Sequence, residues 1–340
     1  MTGRIKVGLV GHGLAGAVFH RPLIASVERL ELASIATTRE VEAAGIEVVR
    51  DPLDLIASPT LDLVVIASPN ESHFPLASAA LEAGKHVVVD KPFTITIEEA
   101  DALIALAEDR GRLLTVFHNR RWDGDFLTVA DLIASGRLGE VMLYEARWDR
   151  FRPSIKPGWR EVPAAGAGLL NDLGPHLVDQ ALALFGAPEA VSGDVAAQRP
   201  EARVDDYFEL TLHYGVRRVL LSASTLVAAP RPRFSLHGTG GSFVKAGVDP
   251  QEAALKAGRL PSEPGFGEDA PEWHGTLTRA DGGGERVPTR RGCYRDFYEA
   301  VADALLDGAP PPVDPADARD GLRIMALARR SAEEGRILRL

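Results

Sequence analysis

The feature that most constrains the fold is a set of three glycines, Gly11, Gly13 and Gly16, spaced as Gly-x-Gly-x-x-Gly. They follow residues 4–10, which read as a buried parallel strand, and they open an apolar helical pattern that continues to about Arg29. The first glycine permits a tight turn, the second lets the backbone approach a pyrophosphate, and the third allows close helix–strand packing. Free N–H groups at the helix start favour phosphate there. The pattern predicts a dinucleotide-binding Rossmann fold; a glycine-rich turn without a ligand is the alternative.

Strand and helix patterns alternate through the first third of the chain. The predicted strands after the first are Leu32–Ala36, Leu61–Ala67, Val87–Val89 and Leu113–Phe117. The clearest helix between them is Ile97–Arg110, which Gly111 closes. Such alternation is typical of an α/β fold with a doubly wound parallel sheet. We therefore expect residues 1–121 to form a Rossmann domain.

The pattern changes near residue 120. One more helix, 126–135, is followed by strand-like segments at 141–150, 190–198, 204–214, 217–227, 233–238 and 241–245. Several alternate with period two, which is typical of antiparallel strands with one buried face. Residues 258–285 read as a loop, and helices at 294–307 and 314–334 close the chain. We expect 122–340 to be an α+β domain on a large, mainly antiparallel open sheet, used for substrate binding and oligomerisation.

Composition narrows the class of protein. A chain of 340 residues exceeds one ordinary core, in agreement with two domains. The formal net charge of −10 argues against binding to the phosphate backbone of nucleic acids. Cys293 is the only cysteine, which excludes an intrachain disulfide and a cysteine-based metal site. No apolar run reaches the roughly 18 residues of a membrane helix, and the amino terminus shows no signal peptide. We expect a cytoplasmic protein without nucleic-acid, membrane or metal partners.

The second predicted strand ends in Thr37, Thr38 and Arg39, and this end distinguishes NAD from NADP. An NAD-selective site usually carries an acid here for the ribose 2′-hydroxyl. Two hydroxyls and a guanidinium suit a 2′-phosphate instead, so we expect NADP, with NAD possible. Glu40 is the nearest acid and would serve a ribose if the turn is longer. An Arg39 that simply faces solvent is the other alternative.

The remaining cofactor candidates lie in the glycine loop and after the strand Leu61–Ala67. The loop candidates are Gly11, His12, Gly13, Leu14, Ala15 and Gly16. Ser68, Pro69 and Asn70 fit a turn at the nicotinamide end of the cofactor, and His73 opens the next helix. An ordinary turn is an equally good interpretation of Asn70.

Lys91 stands at the carboxyl end of the strand Val87–Val89, within Asp90-Lys91-Pro92. Ligands and chemistry in open α/β sheets gather at the carboxyl ends of the strands. A lysine there is costly to desolvate unless it has a partner or a task. We therefore take Lys91 as a catalytic candidate that also contacts the cofactor; a solvated loop lysine is the alternative.

Asp172 and His176 lie four residues apart, just before an apolar helix at Leu177–Phe185. Histidine side chains titrate near neutral pH and suit proton exchange with a substrate hydroxyl, and an adjacent carboxylate would orient the ring. Pro175 suits a first helical turn, which favours Asp172 in the turn before the helix. A shared helical face is the other geometry. A helix-capping aspartate beside an unrelated histidine is the non-catalytic alternative.

These motifs together resemble the glucose–fructose oxidoreductase and inositol dehydrogenase (Gfo/Idh/MocA) family. The matching segments are residues 11–16, 90–92 and 168–176. The usual lysine motif of that family is Glu-Lys-Pro, so Asp90 is a departure from it. Residues 117–123 and 149–153 are similar to the branch that contains NADP-dependent scyllo-inositol dehydrogenase.

The resemblance implies that Lys91, Asp172 and His176 line the active site and that NADP or NAD accepts a hydride. In the expected mechanism His176 removes the hydroxyl proton as general base, Lys91 donates a hydrogen bond to the same oxygen, and Asp172 orients the other groups. The roles of lysine and histidine could be exchanged. The resemblance also implies homodimers or homotetramers formed through the second-domain sheet.

Hydrogen-bond donors beside an aromatic face suit a polyol or a sugar. The substrate-binding candidates beyond Asp172 and His176 are Asn119, Arg120, Arg152, Trp159 and Arg160. For any one arginine, a surface ion pair is at least as good an interpretation. We expect an NADP-dependent cyclitol or sugar dehydrogenase. The alternatives are an aldose or dicarbonyl reductase on the same scaffold, and a non-catalytic dinucleotide sensor.

Overall fold

The computed structural model describes residues 4–42, 44–155, 162–163 and 166–340. The chain divides into two compact units. Unit 1 comprises Met1–Trp122, Pro250–Gly267 and Cys293–Arg319, and unit 2 comprises Asp123–Asp249, Glu268–Gly292 and Asp320–Leu340. Two segments of the range 122–340, which the sequence suggests as one domain, therefore belong to unit 1.

Unit 1 is built on a six-stranded parallel sheet. Its strands are β1 (Ile5–Val10), β2 (Leu30–Ala36), β3 (Glu47–Val49), β4 (Leu63–Ile66), β5 (His86–Val89) and β6 (Leu114–Val116). They lie in the order β3-β2-β1-β4-β5-β6, and every pair is parallel. β4 is buried along its whole length, as expected for a strand covered on both faces. The predicted doubly wound sheet is confirmed.

Helices lie between strands of this sheet, and further helices follow it along the chain in both units. The first is a π-helical turn, Ala15–His20, which continues into α1. The α-helices are α1 (Arg21–Ala25), α2 (Pro52–Ala57), α3 (His73–Glu82), α4 (Ile97–Arg110), α5 (Gly124–Ala134), α6 (Leu169–Phe185), α7 (Gln251–Lys256), α8 (Arg295–Asp307) and α9 (Pro315–Glu334). The ends of α4 follow from its sequence, because Thr96 and Glu99 form a capping box and Gly111 ends the helix at a φ of 59°.

Helix α8 explains why residues 293–319 return to unit 1. Its residues Phe297 and Tyr298 are fully buried. The ring of Phe297 stands edge-on to that of Phe117, which follows β6, with centroids 4.9 Å apart. The apolar face of α8 indicates that this helix packs against the rest of the protein. The local sequence of α8 does not indicate which of the two sheets it packs against.

Unit 2 is built on a nine-stranded sheet. Its strands are β7 (Val141–Asp149), β8 (Ala190–Ala196), β9 (Tyr207–Tyr214), β10 (Arg217–Ser224), β11 (Phe234–Gly238), β12 (Gly241–Lys245), β13 (Gly275–Arg279), β14 (Gly284–Val287) and β15 (Leu338–Arg339). Their order is β14-β13-β12-β11-β7-β10-β9-β8-β15. Only β7 and β10 pair in parallel; the other pairs are antiparallel. The predicted large, mainly antiparallel sheet is confirmed, and α6 packs against β10.

The interpretation of residues 258–285 as a loop is wrong in part. Strand β13 lies inside this range and pairs with β12 and β14. Leu277 is the one large apolar side chain of β13 that is buried, so the period-two signal is too weak to see in the sequence. Within the described ranges, no helix has the length and apolar character needed to cross a membrane.

Candidate active site

Most of the cofactor candidates, together with Lys91, follow the carboxyl ends of four neighbouring strands of unit 1. In sheet order, Thr37–Arg39 follows β2, Gly11–Gly16 follows β1, Ser68–Asn70 comes after β4, and Lys91 comes after β5. Neighbouring strands lie about 4.8 Å apart, so the four groups form a row about 15 Å long. A dinucleotide in a Rossmann fold follows such a row, with its pyrophosphate at the first strand and its adenine ribose at the second.

The glycine loop has the geometry that the sequence predicts. Gly11 has a φ of 96°, and a Cβ there would come within 2.5 Å of the Ala67 backbone oxygen. A Cβ on Gly16 would lie 2.0 Å from the Gly11 oxygen, so the helix start packs directly on the turn. A Cβ on Gly13 would meet no heavy atom of the described residues within 4 Å. The backbone at Gly13 is therefore open to a pyrophosphate, and the loop fits a dinucleotide.

The end of β2 exposes Thr38 and Arg39 and buries Thr37. The Thr37 hydroxyl accepts the Arg39 backbone N–H at 3.2 Å and so shapes the turn. Glu40, the alternative ribose ligand, forms an ion pair with Arg50 at 2.6 Å. Arg50 also donates to the backbone oxygens of Thr37 and Arg39, at 3.4 and 3.2 Å. Glu40 thus has a cationic partner in an exposed ion pair, while Arg39 faces outward.

A second arginine reaches this region from α1. Arg21 Nη1 lies 3.4 Å from His12 Nε2. Burial lowers the pKa of His12, and the charges of Arg21 and Arg39 lower it further, so both guanidinium groups act on this imidazole. Two guanidinium groups suit a phosphate monoester. Neither Arg21 nor Arg50 is predicted from the sequence, because only the folded chain brings them to the end of β2.

The loops after β4 and β5 are joined by His73. This histidine is buried at the start of α3, with Nδ1 2.8 Å from the Pro92 backbone oxygen and Nε2 3.0 Å from that of Ser68. Its contacts therefore hold two loops of the row together, and direct binding of the cofactor by His73 stays a prediction. Asn70 opens a 3₁₀ turn after Pro69, and both remain candidates for the nicotinamide end.

Lys91 follows β5 through Asp90 and is half-buried. The Asp90 backbone N–H donates to the Ile66 oxygen at 2.8 Å and extends the pairing of β5 with β4. The Lys91 backbone N–H donates to the Asp90 carboxylate, also at 2.8 Å. The lysine is therefore held at the sheet edge by its own backbone and by the preceding side chain.

In unit 2, Asp172 and His176 both lie within α6, four residues apart and on one face. The interpretation that Asp172 precedes the helix is wrong. The helix begins earlier because Asp205 satisfies its start: the Asp205 carboxylate accepts the Leu170 N–H at 2.7 Å. Pro175 therefore lies inside the helix rather than in its first turn.

Strand β7 supplies neighbours to this pair. Arg150, the residue after β7, places Nη1 3.6 Å from Asp172 Oδ2. The ring centroid of Trp148 lies 6.2 Å from that of His176, which is 6% exposed. Neither Trp148 nor Arg150 is predicted from the sequence. The period-two burial of β7 places Trp148 on the same face as Tyr144, so the alternation contains a signal for the tryptophan but none for the arginine.

Among the predicted substrate residues, Arg120 contacts other side chains of unit 1. It is buried, it forms an ion pair with Glu252 from α7, and it donates to the Tyr294 hydroxyl at 2.9 Å. Burial alone would raise the pKa of Glu252, but Arg120 and Lys256 outweigh that effect and hold the pKa at about 2. These contacts join segments of unit 1 that are far apart in the chain.

Replacing Glu252 with glutamine is expected to lower the free energy of unfolding at pH 7 by about 1–3 kcal/mol. The folded-state pKa lies below the reference value of 4.5, so this stabilisation is present above pH 4.5 and is lost as the pH falls toward 2. Urea unfolding at pH 7 and at low pH would measure it. The exposed Glu263→Gln variant is the control and should change little. An equal loss for Glu252→Gln at both pH values would contradict the ion pair as its cause.

The other substrate candidates are less well defined. Asn119 is buried beside Arg120, and Arg152 is exposed. Trp159 and Arg160 lie outside the described residues. Substrate binding by these residues stays a prediction. In the described part of the chain, no group of three or more His, Cys, Asp or Glu side chains is arranged to hold a metal ion.

Two family profiles together match nearly the whole chain. Residues 5–118 match the Gfo/Idh/MocA profile described as an oxidoreductase family with an NAD-binding Rossmann fold. Residues 130–340 match the profile of the C-terminal alpha/beta domain of the same family. The chain belongs to the Gfo/Idh/MocA family of oxidoreductases. The predicted resemblance is confirmed, and the protein is a dehydrogenase or reductase with an NAD-binding domain.

Individual relatives match over the same length. The uncharacterised oxidoreductase YdgJ of Escherichia coli K12 is 47% identical over 98% of both chains. The scyllo-inositol 2-dehydrogenase (NADP(+)) IolW of Bacillus subtilis 168 is 40% identical over 99% of this chain and 96% of its own. The structure of yvaA from Bacillus subtilis has a TM-score of 0.98 at 40% identity, covering 100% of this chain and 99% of that one. The two-domain architecture of the family thus extends over the whole chain.

Proposed function

We propose that this oxidoreductase uses NADP(H) and acts on a secondary alcohol or ketone of a cyclitol or sugar. The observation that carries the cofactor choice is the end of β2, where Arg39 and Thr38 are exposed and the nearest acid, Glu40, is paired with Arg50. The full-length similarity to the NADP-dependent IolW supports both the cofactor and a substrate related to scyllo-inositol.

The residues of unit 1 would hold the cofactor along the row at the sheet edge. The Gly11–Gly16 loop and the helix start behind it would bind the pyrophosphate. Arg39, together with Arg21, would bind the 2′-phosphate, and Ser68–Asn70 would face the nicotinamide half. The nicotinamide, when bound, supplies the hydride acceptor, and the protein supplies binding and orientation.

Lys91 and His176 would divide the proton chemistry at the substrate hydroxyl. His176 accepts the hydroxyl proton at a ring nitrogen, as a general base. The Lys91 ammonium group donates a hydrogen bond to the same oxygen and stabilises the negative charge that develops on it. Asp172 lies one helical turn before His176 and next to Arg150, from where its carboxylate orients the donors around the substrate. The reverse assignment of Lys91 and His176 is the alternative.

The proposal is tested by following reduced-nicotinamide absorbance with purified protein, NADP or NAD, and a panel of inositols and aldoses. We expect one cyclitol, scyllo-inositol or a close isomer, to be oxidised with NADP at a kcat/KM at least about tenfold higher than with NAD, which corresponds to about 1.4 kcal/mol. The reverse reaction should reduce the matching ketone with NADPH.

Other outcomes would redirect the proposal. Turnover of open-chain aldoses or dicarbonyls, but of no cyclitol, would favour a reductase on the same scaffold. Tight dinucleotide binding without turnover of any member of the panel would favour a dinucleotide sensor. The expected homo-oligomer and cytoplasmic location stay predictions, which light scattering of the purified protein and cell fractionation would test.

A further inference from the structure

Two buried side chains of unit 1, His20 and Tyr298, lie next to the lysine motif Asp90-Lys91-Pro92. His20, from the turn that precedes α1, is fully buried and packs beside Phe117 with ring centroids 4.4 Å apart and a tilt of 47° between the rings. Its Nδ1 lies 2.6 Å from the hydroxyl of Tyr298, which α8 supplies. Its Nε2 points toward Asp90, with 3.8 Å between Nε2 and Oδ1. Tyr298, His20 and Asp90 therefore form a line that ends at the residue before Lys91.

The direction of the hydrogen bonds follows from the protonation of Tyr298 together with the carboxylate that faces His20. Burial raises the pKa of Tyr298, and the charge of Asp90 raises it further, so the phenol keeps its proton. A protonated phenol can donate or accept, so the carboxylate of Asp90 decides the direction: it favours the ring hydrogen on Nε2, and Nδ1 then accepts the hydrogen of the Tyr298 hydroxyl. Among the described residues Nε2 has no hydrogen-bond partner, so the carboxylate is the acceptor that this buried N–H faces.

Asp90 connects His20 and Tyr298 to Lys91. Burial acts to raise the pKa of Asp90, but His20, Lys91 and His73 together outweigh it and lower the pKa. The carboxylate is therefore ionised at neutral pH, and its Oδ1 accepts the Lys91 backbone N–H at 2.8 Å. One carboxylate thus fixes the lysine backbone and faces the buried His20.

We propose that Asp90, oriented by His20 and Tyr298, is a positioning residue that sets the backbone and the electrostatic surroundings of Lys91. The proposal rests on the proposed function for the role of Lys91 in turnover.

The first test replaces Tyr298 with phenylalanine, which keeps the ring and removes the hydroxyl. We expect kcat to fall about tenfold or more, with KM and the dinucleotide dissociation constant within twofold of wild type, because small misplacement of a reacting group acts mainly on turnover. Hydrogen–deuterium exchange at the Lys91 amide should become about tenfold faster, while the β5 amides keep their protection. Tyr144→Phe is the matched control, since Tyr144 is buried in unit 2 and its hydroxyl has no hydrogen-bond partner in the described ranges.

A second variant, Asp90→Asn, keeps the oxygen that accepts the Lys91 N–H and removes the charge. It should lower kcat about tenfold to a hundredfold at unchanged KM, and Lys91 amide exchange should stay slow. Unchanged kcat in both variants, or unchanged Lys91 exchange in Tyr298→Phe, would overturn the positioning role. The exchange measurement needs no substrate, so it decides on this network even if wild-type turnover fails and the proposed function falls.

Discussion

Replacing Lys91 with methionine is expected to lower kcat by about a thousandfold while dinucleotide affinity stays within a few-fold of wild type. The reason is the position of the side chain: it is half-buried at the carboxyl end of β5, and its backbone is fixed by Asp90. Methionine keeps most of the volume and removes the charge and the donor. Steady-state kinetics with the best substrate of the panel, together with titration of NADPH fluorescence, would measure the two effects separately.

Lys85, which precedes β5, is the matched control. Its ammonium group is nearly buried and donates to the backbone oxygens of Ser58 and Leu61, at 2.7 and 2.9 Å. Removing it leaves those oxygens without their donor, so Lys85→Met should lower Tm and leave kcat of the folded enzyme unchanged. A kcat within tenfold of wild type for Lys91→Met would show that the lysine is not a reacting group. Equal losses in the two variants would point to a stability effect.

The Rossmann half was predictable because its strands carry their signal locally. β1, β4 and β5 are short, almost wholly buried apolar runs, and the glycine spacing between β1 and the helix has few other uses. The rule that chemistry follows the carboxyl ends of strands then pointed to Lys91, and the sheet order of the structure places it in one row with Thr37–Arg39 and Ser68–Asn70. β3 was missed because it has three residues and faces solvent.

The contacts that refine the site could not be predicted, because they join residues that are distant in the chain. Tyr298 reaches His20 across 278 positions, and Arg120 reaches Glu252 across 132. At Pro175 a local sequence preference led to a wrong prediction. Proline favours the first turn of a helix, so the helix was expected to start near Pro175, but α6 starts at Leu169. There the cap from Asp205, a contact over 35 positions, decided the outcome.

Replacing Arg39 with alanine is expected to weaken NADP binding about tenfold to a hundredfold and to leave NAD binding within twofold. One or two charge-assisted hydrogen bonds to a phosphate contribute about 1.5–3 kcal/mol, which corresponds to that range. NAD has an uncharged hydroxyl at the same position, so its affinity depends little on the guanidinium group of Arg39. Titrations with NADP, NAD, 2′,5′-ADP and 5′-AMP would isolate the phosphate, because each pair of ligands differs at the 2′ position.

The Arg110→Ala variant removes the same charge from the exposed end of α4, and it should change neither affinity. Equal losses of NADP and NAD in Arg39→Ala would mean that Arg39 shapes the turn after β2 instead of binding the phosphate. The competing interpretation assigns the ribose to Glu40, and it predicts that Glu40→Ala weakens NAD. Arg50 and Glu40 are both exposed, so their ion pair holds the carboxylate only weakly, and the NAD affinity of Glu40→Ala decides between the two interpretations.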